Sequence, residues 1–386
     1  MQHSAHLLDY AATAPLRPEA KAALVAALDA DYGNPSGHYA SGRVAKRALE
    51  EARETIAGHL GCQPIEVIFT SGGTEADNLG IRGLYALRNK DTPRPAIAAA
   101  AIEHDAVGHA IAATGAELIE LPVTPQGRVD EDAARDLIAA HADRLALVSC
   151  MWANNETGAI QPVAAVAEAA RDAGVPVHID AVQAVGCEDV NFAASGAATL
   201  AVSAHKFGGP RGIGALIVRR DMKLEALLRG GGQERGLRSG TPDVASAVGM
   251  AAAVAACRAH GEQEHVRVAR LRDQLRDGIV QRVENVVVHT SEPALPGHVH
   301  VSFPGAEGDS LLMLFDAAGV GCSTGSACSV GVNRPSHVLL AMGVDEMVAR
   351  GAIRFSLGWA STQADVDAVL ACVSDTVQRA RAAGMA

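Results

Sequence analysis

The sequence predicts an α/β fold: a large three-layer domain around a mainly parallel sheet, followed by a smaller α+β C-terminal domain. Three observations carry this. Between Pro64 and Arg219, short apolar runs alternate with helical stretches. After Gly240 that alternation gives way to long helical stretches and fewer strands. The residues with unusual chemistry cluster where apolar runs end, the place where α/β sheets bind ligands.

The elements follow in order. "PEAKAALVAALDA" (18–30) and "RVAKRALEEARETIAGHL" (43–60) read as helices ahead of the sheet. "EVIFT" (66–70) is a strand and "GTEADNLGIRGLYALRN" (73–89) the helix after it. "AIAAA" (96–100) leads into the helix "HDAVGHAIAATG" (104–115). "LALVSCM" (145–151) leads into "PVAAVAEAARDAG" (162–174), opened by Pro162 and closed by Gly174. "VPVHID" (175–180), "ATLAVS" (198–203) and "GALIVRR" (214–220) are apolar runs typical of strands buried on both faces. Helix is expected over roughly 242–284, then a strand at "HVHVSF" (298–303) and a helix at "DSLLMLFDAAG" (309–319). "GAIRFSLG" (351–358) is another strand, and a last helix starts near Gln363. The expected division is 15–255 for the large domain, with 1–14 and 256–386 as the small one, whose sheet should be antiparallel.

Composition narrows the function class. The 386 residues are 48% hydrophobic and 20% charged, an ordinary globular balance. A length of this order suits about two domains. A net charge of −11 argues against nucleic acid or an anionic membrane as the main partner. No run of 18 uninterrupted apolar residues marks a membrane span, and the N-terminus carries no signal-peptide pattern. A cytoplasmic location is therefore expected. The seven cysteines are scattered and show no C-x-x-C pair, so reduced thiols are expected and a structural zinc site is not.

Three strand ends carry chemistry. In "TSGGTEADN" (70–78), Gly72 and Gly73 turn the chain and a helix begins near Thr74, which makes an anion site of its free N–H groups. The plainer reading is a tight turn with a threonine cap. In "VHIDAVQA" (177–184), Asp180 ends an apolar strand, where a carboxylate needs a cationic partner or serves as a helix cap. In "VSAHKFGGPRG" (202–212), Lys206 follows a strand, and Ser203 and His205 add donors. A partly buried amine there has a lowered pKa and can bind an aldehyde, whereas a lone loop lysine would be solvated. Together the three meet the needs of pyridoxal phosphate: a helix end for phosphate, an acid for the ring nitrogen, and an amine for the aldehyde. A fourth segment, "VGCSTGSACSVG" (320–331), sets Cys322 and Cys328 among small residues. Read alone, it is open between a metal pair, a disulfide and a nucleophile that must move.

With "LLDYAATAP", "GNPSGHYASGR", "FTSGGTEADNL", "EHDAV", "MWANNETGAIQP", "HIDAVQAVG", "SAHKFGGPRGIGAL", "GGGQERGLRSGTPDV", "TGSACSVG", "PSHVLLAMG" and "IRFSLG" in this order, the chain resembles the cysteine desulfurases. These belong to the class V aminotransferase group of fold-type I pyridoxal phosphate enzymes. The resemblance covers nearly the whole chain and implies that three-layer PLP-transferase fold. It implies conversion of L-cysteine to L-alanine, with the sulfur passing to an enzyme persulfide and then to iron–sulfur scaffolds or other sulfur acceptors. It makes Lys206 the lysine that holds the cofactor aldehyde and then acts as general base, and Cys328 the nucleophile that takes the sulfur. It sets Asp180 at the ring nitrogen, Gln183 at the ring hydroxyl and His104 on the ring face. It gives Gly73, Thr74, Ser203 and His205 to the phosphate, with Thr241 reaching the phosphate of a second subunit, which implies a homodimer. Asn155 becomes a cofactor and substrate contact, Arg354 the grip on the substrate carboxylate, and Asn34 its helper. The small domain then carries both the cysteine loop and Arg354. No resident metal is implied, and a transient iron–sulfur contact at Cys328 is left open.

The chain departs from the family pattern at Tyr10 and Ala14, and at Cys322, where relatives often carry a small residue without a thiol. Cys322 is expected to be a small buried strand residue, with a resolving thiol as the alternative. The length of "SVGVNRPSH" matches the long-loop desulfurases. The competing readings are a selenocysteine lyase, another class V enzyme, and a catalytically silent scaffold protein.

Overall fold

The computed structural model describes residues 6–30, 32–325 and 335–384. In chain order the elements are β1 (His6–Leu7), α1 (Pro18–Asp29), α2 (Ala40–Leu60), β2 (Val67–Thr70), α3 (Gly73–Arg88), β3 (Ala96–Ala100), α4 (Asp105–Ala112), β4 (Glu117–Leu121) and α5 (Glu131–Ala140). They continue with β5 (Leu145–Ser149), α6 (Val163–Asp172), β6 (Val177–Asp180), α7 (Phe192–Ser195), β7 (Thr199–Ser203), β8 (Gly214–Val218) and α8 (Val244–Arg282). The last are β9 (Val287–Val288), β10 (His298–Ser302), α9 (Gly308–Ala317), β11 (Val320–Gly321), α10 (His337–Ala341), α11 (Glu346–Ala349), β12 (Ala352–Ser356) and α12 (Gln363–Gly384).

The large sheet runs β2-β8-β7-β6-β5-β3-β4. β8 is antiparallel to β2 and β7, and the other pairs are parallel. The apolar runs are wholly buried in β3, β5, β6, β7 and β8, because helices cover both faces. Successive strand residues alternate between two cores. Ile97, Ala99, Ala201 and Leu216 pack with α3 and α4. Ala96, Ala98, Leu200 and Val202 pack on the other side with α2, α6 and the start of α8.

The short elements β1, α7, β9, β11, α10 and α11 escape the hydrophobic pattern, and so do two longer ones, β4 and α5. β4, "ELIEL", is an edge strand with only Leu121 buried, and its glutamates face solvent. Charges of this kind protect an open edge, and they also hide a strand from an apolar-run search. α5 follows it, capped by Asp130, whose side chain accepts from Ala133 N at 3.1 Å.

The C-terminal part contains the antiparallel sheet β12-β10-β9. Its separate core includes Phe303, Phe315 and Phe355, the last two edge to face at 5.3 Å between centroids. β1 joins this part by pairing with β11. α8 is one helix of 39 residues, and the expected 255/256 boundary falls inside it. Its first half carries Val244, Met250 and Val254 into the large core, and its second half carries Leu271, Leu275 and Ile279 into the small one. α8 is the one described helix apolar and long enough to cross a membrane by composition, and its most apolar stretch is 56% buried inside the protein.

Candidate active site

The C-terminal ends of β3, β5, β6 and β7 meet the start of α3 around a cavity of about 230 Å³. Gly72 precedes α3 with φ 153° and ψ −174°, a conformation essentially confined to glycine, and no side chain caps the helix. Gly73 and Thr74 therefore present free backbone N–H groups to the cavity. Ser203, at the end of β7, sits against this turn: a Cβ on Gly72 would lie 3.7 Å from its Oγ. His205 lines the same wall, shares a 3.1 Å hydrogen bond with Thr13 Oγ1, and stays neutral because burial pushes it down to about 4.

Asp180 ends β6 and is 6% exposed. Its Oδ1 accepts from Val182 N at 2.9 Å. Burial, with the nearby Asp77 carboxyl, lifts its pKa to about 7. A cation against its free oxygen would restore the carboxylate. Lys206 closes a single 3-10 turn after β7 (Ala204–Lys206). Its Nζ donates to Ala11 O at 2.6 Å and Ala12 O at 3.1 Å, and Gln183 Nε2 donates to the same Ala11 carbonyl at 2.7 Å. Burial and then the Arg354 charge lower the amine to about 8, against the pull of Asp180 and Asp9. His104 caps α4, its Nδ1 accepting from Ala106 N at 3.1 Å, which leaves the proton of the neutral ring on Nε2.

Arg354 sits at the rim on β12, 4% exposed. It donates to Asp9 Oδ1 at 2.6 Å and to Asn155 O at 2.8 Å, and its Nε is buried without a partner. Asn155 lines the cavity and so links this guanidinium to it. Asn34 and Thr241 lie elsewhere: both are exposed and neither lines the cavity. The Asn34 side chain accepts from Ser36 N at 2.9 Å within its own loop. Cys328 lies outside the described residues. Cys322 follows β11 and packs against the small core, where burial and Asp9 push its thiol far up.

Sequence reasoning missed four site residues. Asp77 lines the cavity from α3, three residues beyond Thr74 and so on the same helical face. Glu103, just before His104, is buried and its carboxyl is held well above the usual range by burial, Asp180 and Asp77. Glu156 is 2% exposed and accepts from Ser336 Oγ at 2.5 Å. A Cβ on Gly325 would lie 3.1 Å from the same carboxylate, so Glu156 borders both ends of the segment 326–334. His178 precedes Asp180 by two residues on β6, which puts both on one face.

The set fits pyridoxal phosphate: an uncapped helix start for an anion, an acid deep in the wall for a ring nitrogen, and an amine of lowered pKa for an aldehyde. Comparison with known proteins agrees. Residues 6–369 match the aminotransferase class-V family model. The chain is 49% identical to an IscS-like cysteine desulfurase of Mycobacterium tuberculosis, over 98% of each chain. It is 39% identical to the cysteine desulfurase IscS of Methanosarcina thermophila, over 98% of this chain and 94% of that one. Among solved structures, a NifS-like protein superposes with a TM-score of 0.89 at 32% identity, covering 97% of this chain and 99% of the other.

Proposed function

The chain belongs to the aminotransferase class-V family as a pyridoxal phosphate-dependent cysteine desulfurase, and on that premise we propose how its residues divide the work. The carrying observation is the convergence of the Lys206 amine, the Asp180 carboxyl and the uncapped start of α3 on one cavity. When bound, pyridoxal phosphate supplies an electron sink that weakens the Cα–H and Cβ–S bonds of an amino acid. Gly73, Thr74, Ser203 and His205 hold its phosphate. Asp180 would serve the ring nitrogen, Gln183 the ring hydroxyl, and His104 the ring itself, all three lining the cavity.

Arg354 binds the carboxylate of L-cysteine with its planar fork. In the described structure Asp9 occupies that guanidinium, so the substrate carboxylate competes with Asp9 or joins it. Lys206 Nζ takes the proton from Cα, a task that its lowered pKa suits near neutrality. Cys328 attacks the substrate sulfur as a thiolate. The new S–S bond forms as the Cβ–S bond breaks, the electron pair of the broken bond stays with Cβ, which takes up a proton, and the protonated Lys206 amine returns a proton to Cα to complete L-alanine. The persulfide sulfur then goes to an acceptor, which we take to be an iron–sulfur scaffold or another sulfur-carrier protein in the cytoplasm. Thr241 is exposed and away from its own cavity, which supports a homodimer in which it serves the partner's phosphate site.

The test is mass spectrometry of the holoenzyme after incubation with L-cysteine. A sulfur-mass adduct on the peptide containing Cys328, with L-alanine formed, is expected. Alanine without that adduct would remove Cys328 from its role. Turnover of L-selenocysteine with L-cysteine left untouched would move the chain to the selenocysteine lyases.

A further inference from the structure

The wall beside Asp180 holds a second carboxyl that the division of roles above leaves unused. Asp77, within the first turns of α3, has a side chain only 2% exposed. Its Oδ1 lies 3.1 Å from His178 Nε2, and His178 Nδ1 lies 2.9 Å from Thr199 Oγ1. His178 and Asp180 leave the same face of β6. α3 is cut away to admit the imidazole: a Cβ on Gly80 would sit 2.6 Å from His178 Nδ1. Three polar groups from three elements thus form a buried line that ends at the cavity.

Asp77, Asp180 and Glu103 crowd one dry wall, where like charges oppose one another. Burial lifts Asp77 to about 8 and holds His178 down at about 4, so the imidazole between Asp77 and Thr199 is neutral. The other titratable groups around this wall are His104 after β3, Cys150 after β5, and His205 and Lys206 after β7. β5, β7 and β8 contribute no charged side chain, and Asp105 and His109 of α4 are exposed.

We propose that Asp77 is a positioning residue acting through Asp180: hydrogen-bonded to His178, it keeps the proton that this carboxyl cluster shares and leaves the negative charge on Asp180, facing the cofactor nitrogen. The proposal rests on the assignment of Asp180 made above. In this arrangement the Asp77 O–H donates to His178 Nε2, and His178 Nδ1–H donates to Thr199 Oγ1. The line is neutral from end to end, and it braces the strand that carries Asp180 against the helix that receives the phosphate.

The experiment compares holoenzymes carrying Asp77→Asn, Asp77→Ala and Thr199→Val. It reads the visible absorption of the bound cofactor against pH, the rate of cofactor loss on dilution, and kcat and KM for L-cysteine. Asp77→Asn keeps a neutral donor to His178, so it should lower kcat only about threefold and flatten the spectral change expected near pH 8. Asp77→Ala strands His178 Nε2; it should lower kcat about thirtyfold, speed cofactor loss about tenfold and leave KM within about twofold. Thr199→Val should fall between them. If Asp77→Asn is as damaging as Asp77→Ala, an ionised Asp77 is required and the proposal is wrong. It is equally wrong if the variants lose melting temperature while spectra and cofactor retention match wild type, the signature of packing alone. Should Asp77→Ala fail to fold, an unchanged spectral titration in Thr199→Val overturns it. A wild-type protein that takes up no cofactor would instead strike at the assignment of the site.

Discussion

The cofactor cradle and the substrate rim are built on opposite plans. The cradle is made of strand ends in a sheet buried on both faces, so its groups are fixed by backbone that has nowhere to move. The rim is made of contacts between separate parts of the chain: Arg354 on Asp9 and Asn155, Ser323 paired with the Arg354 backbone, Ser336 on Glu156. The difference divides the reaction. Proton movement at Cα needs fixed geometry, since small misplacement is costly there. Sulfur delivery needs a group that reaches the substrate and then an acceptor.

That division can be broken by experiment, and the largest effect belongs to the cradle. Lys206→Ala should lower turnover by about 10³-fold or more and abolish exchange of the substrate α-proton with deuterated solvent. Cys328→Ser should abolish persulfide and alanine equally well yet keep that exchange, measured by NMR of L-cysteine. If both variants lost exchange, the two regions would not be separable. Next comes pH. The unprotonated Lys206 amine is the form that binds an aldehyde, so cofactor uptake by the apoprotein should quicken as pH rises through about 8. A midpoint near 10.5, the ordinary lysine value, would mean that the cradle does not desolvate the amine.

Smaller effects probe the rim. Glu156→Gln weakens the contact with Ser336 beside the segment 326–334. It should cut the yield of persulfide about tenfold while α-proton exchange changes less than about twofold. Cys322→Ser should be the mildest. Its thiol packs in the small core, so a loss of about 1 kcal/mol in stability is expected, with persulfide formation within about twofold of wild type. Thiol counting before and after mild oxidation checks this, because a resolving role for Cys322 would show as two thiols lost in wild type and none in the variant.

Part of the cradle is legible because Gly73, Thr74, Asp180, Ser203, His205 and Lys206 follow the ends of apolar runs, a pattern that physical rules can read, whereas His104 and Gln183 come only from the resemblance. Asp180 and Lys206 stand out as charges where charge is expensive. The rim was far less legible. Arg354 is an ordinary arginine until the Asp9 segment is laid beside β12, where Asp9 bridges to Ser356, and it was reached only through resemblance. Glu156, Asp77 and Glu103 were passed over because acidic residues in loops and helices are usually solvated. Only tertiary contacts reveal that these three are buried. β4 was missed for the opposite reason, since its glutamates really are at the surface.

α8 has a consequence of a different kind. At about 1.5 Å per residue its 39 residues span roughly 58 Å. It contributes side chains to both hydrophobic cores, so melting either end removes packing from the other through a continuous hydrogen-bonded ladder. The two cores are therefore thermodynamically coupled rather than independent folding units. Heat should unfold the apoprotein in one cooperative step, and cleavage within α8 should release no fragment that remains folded.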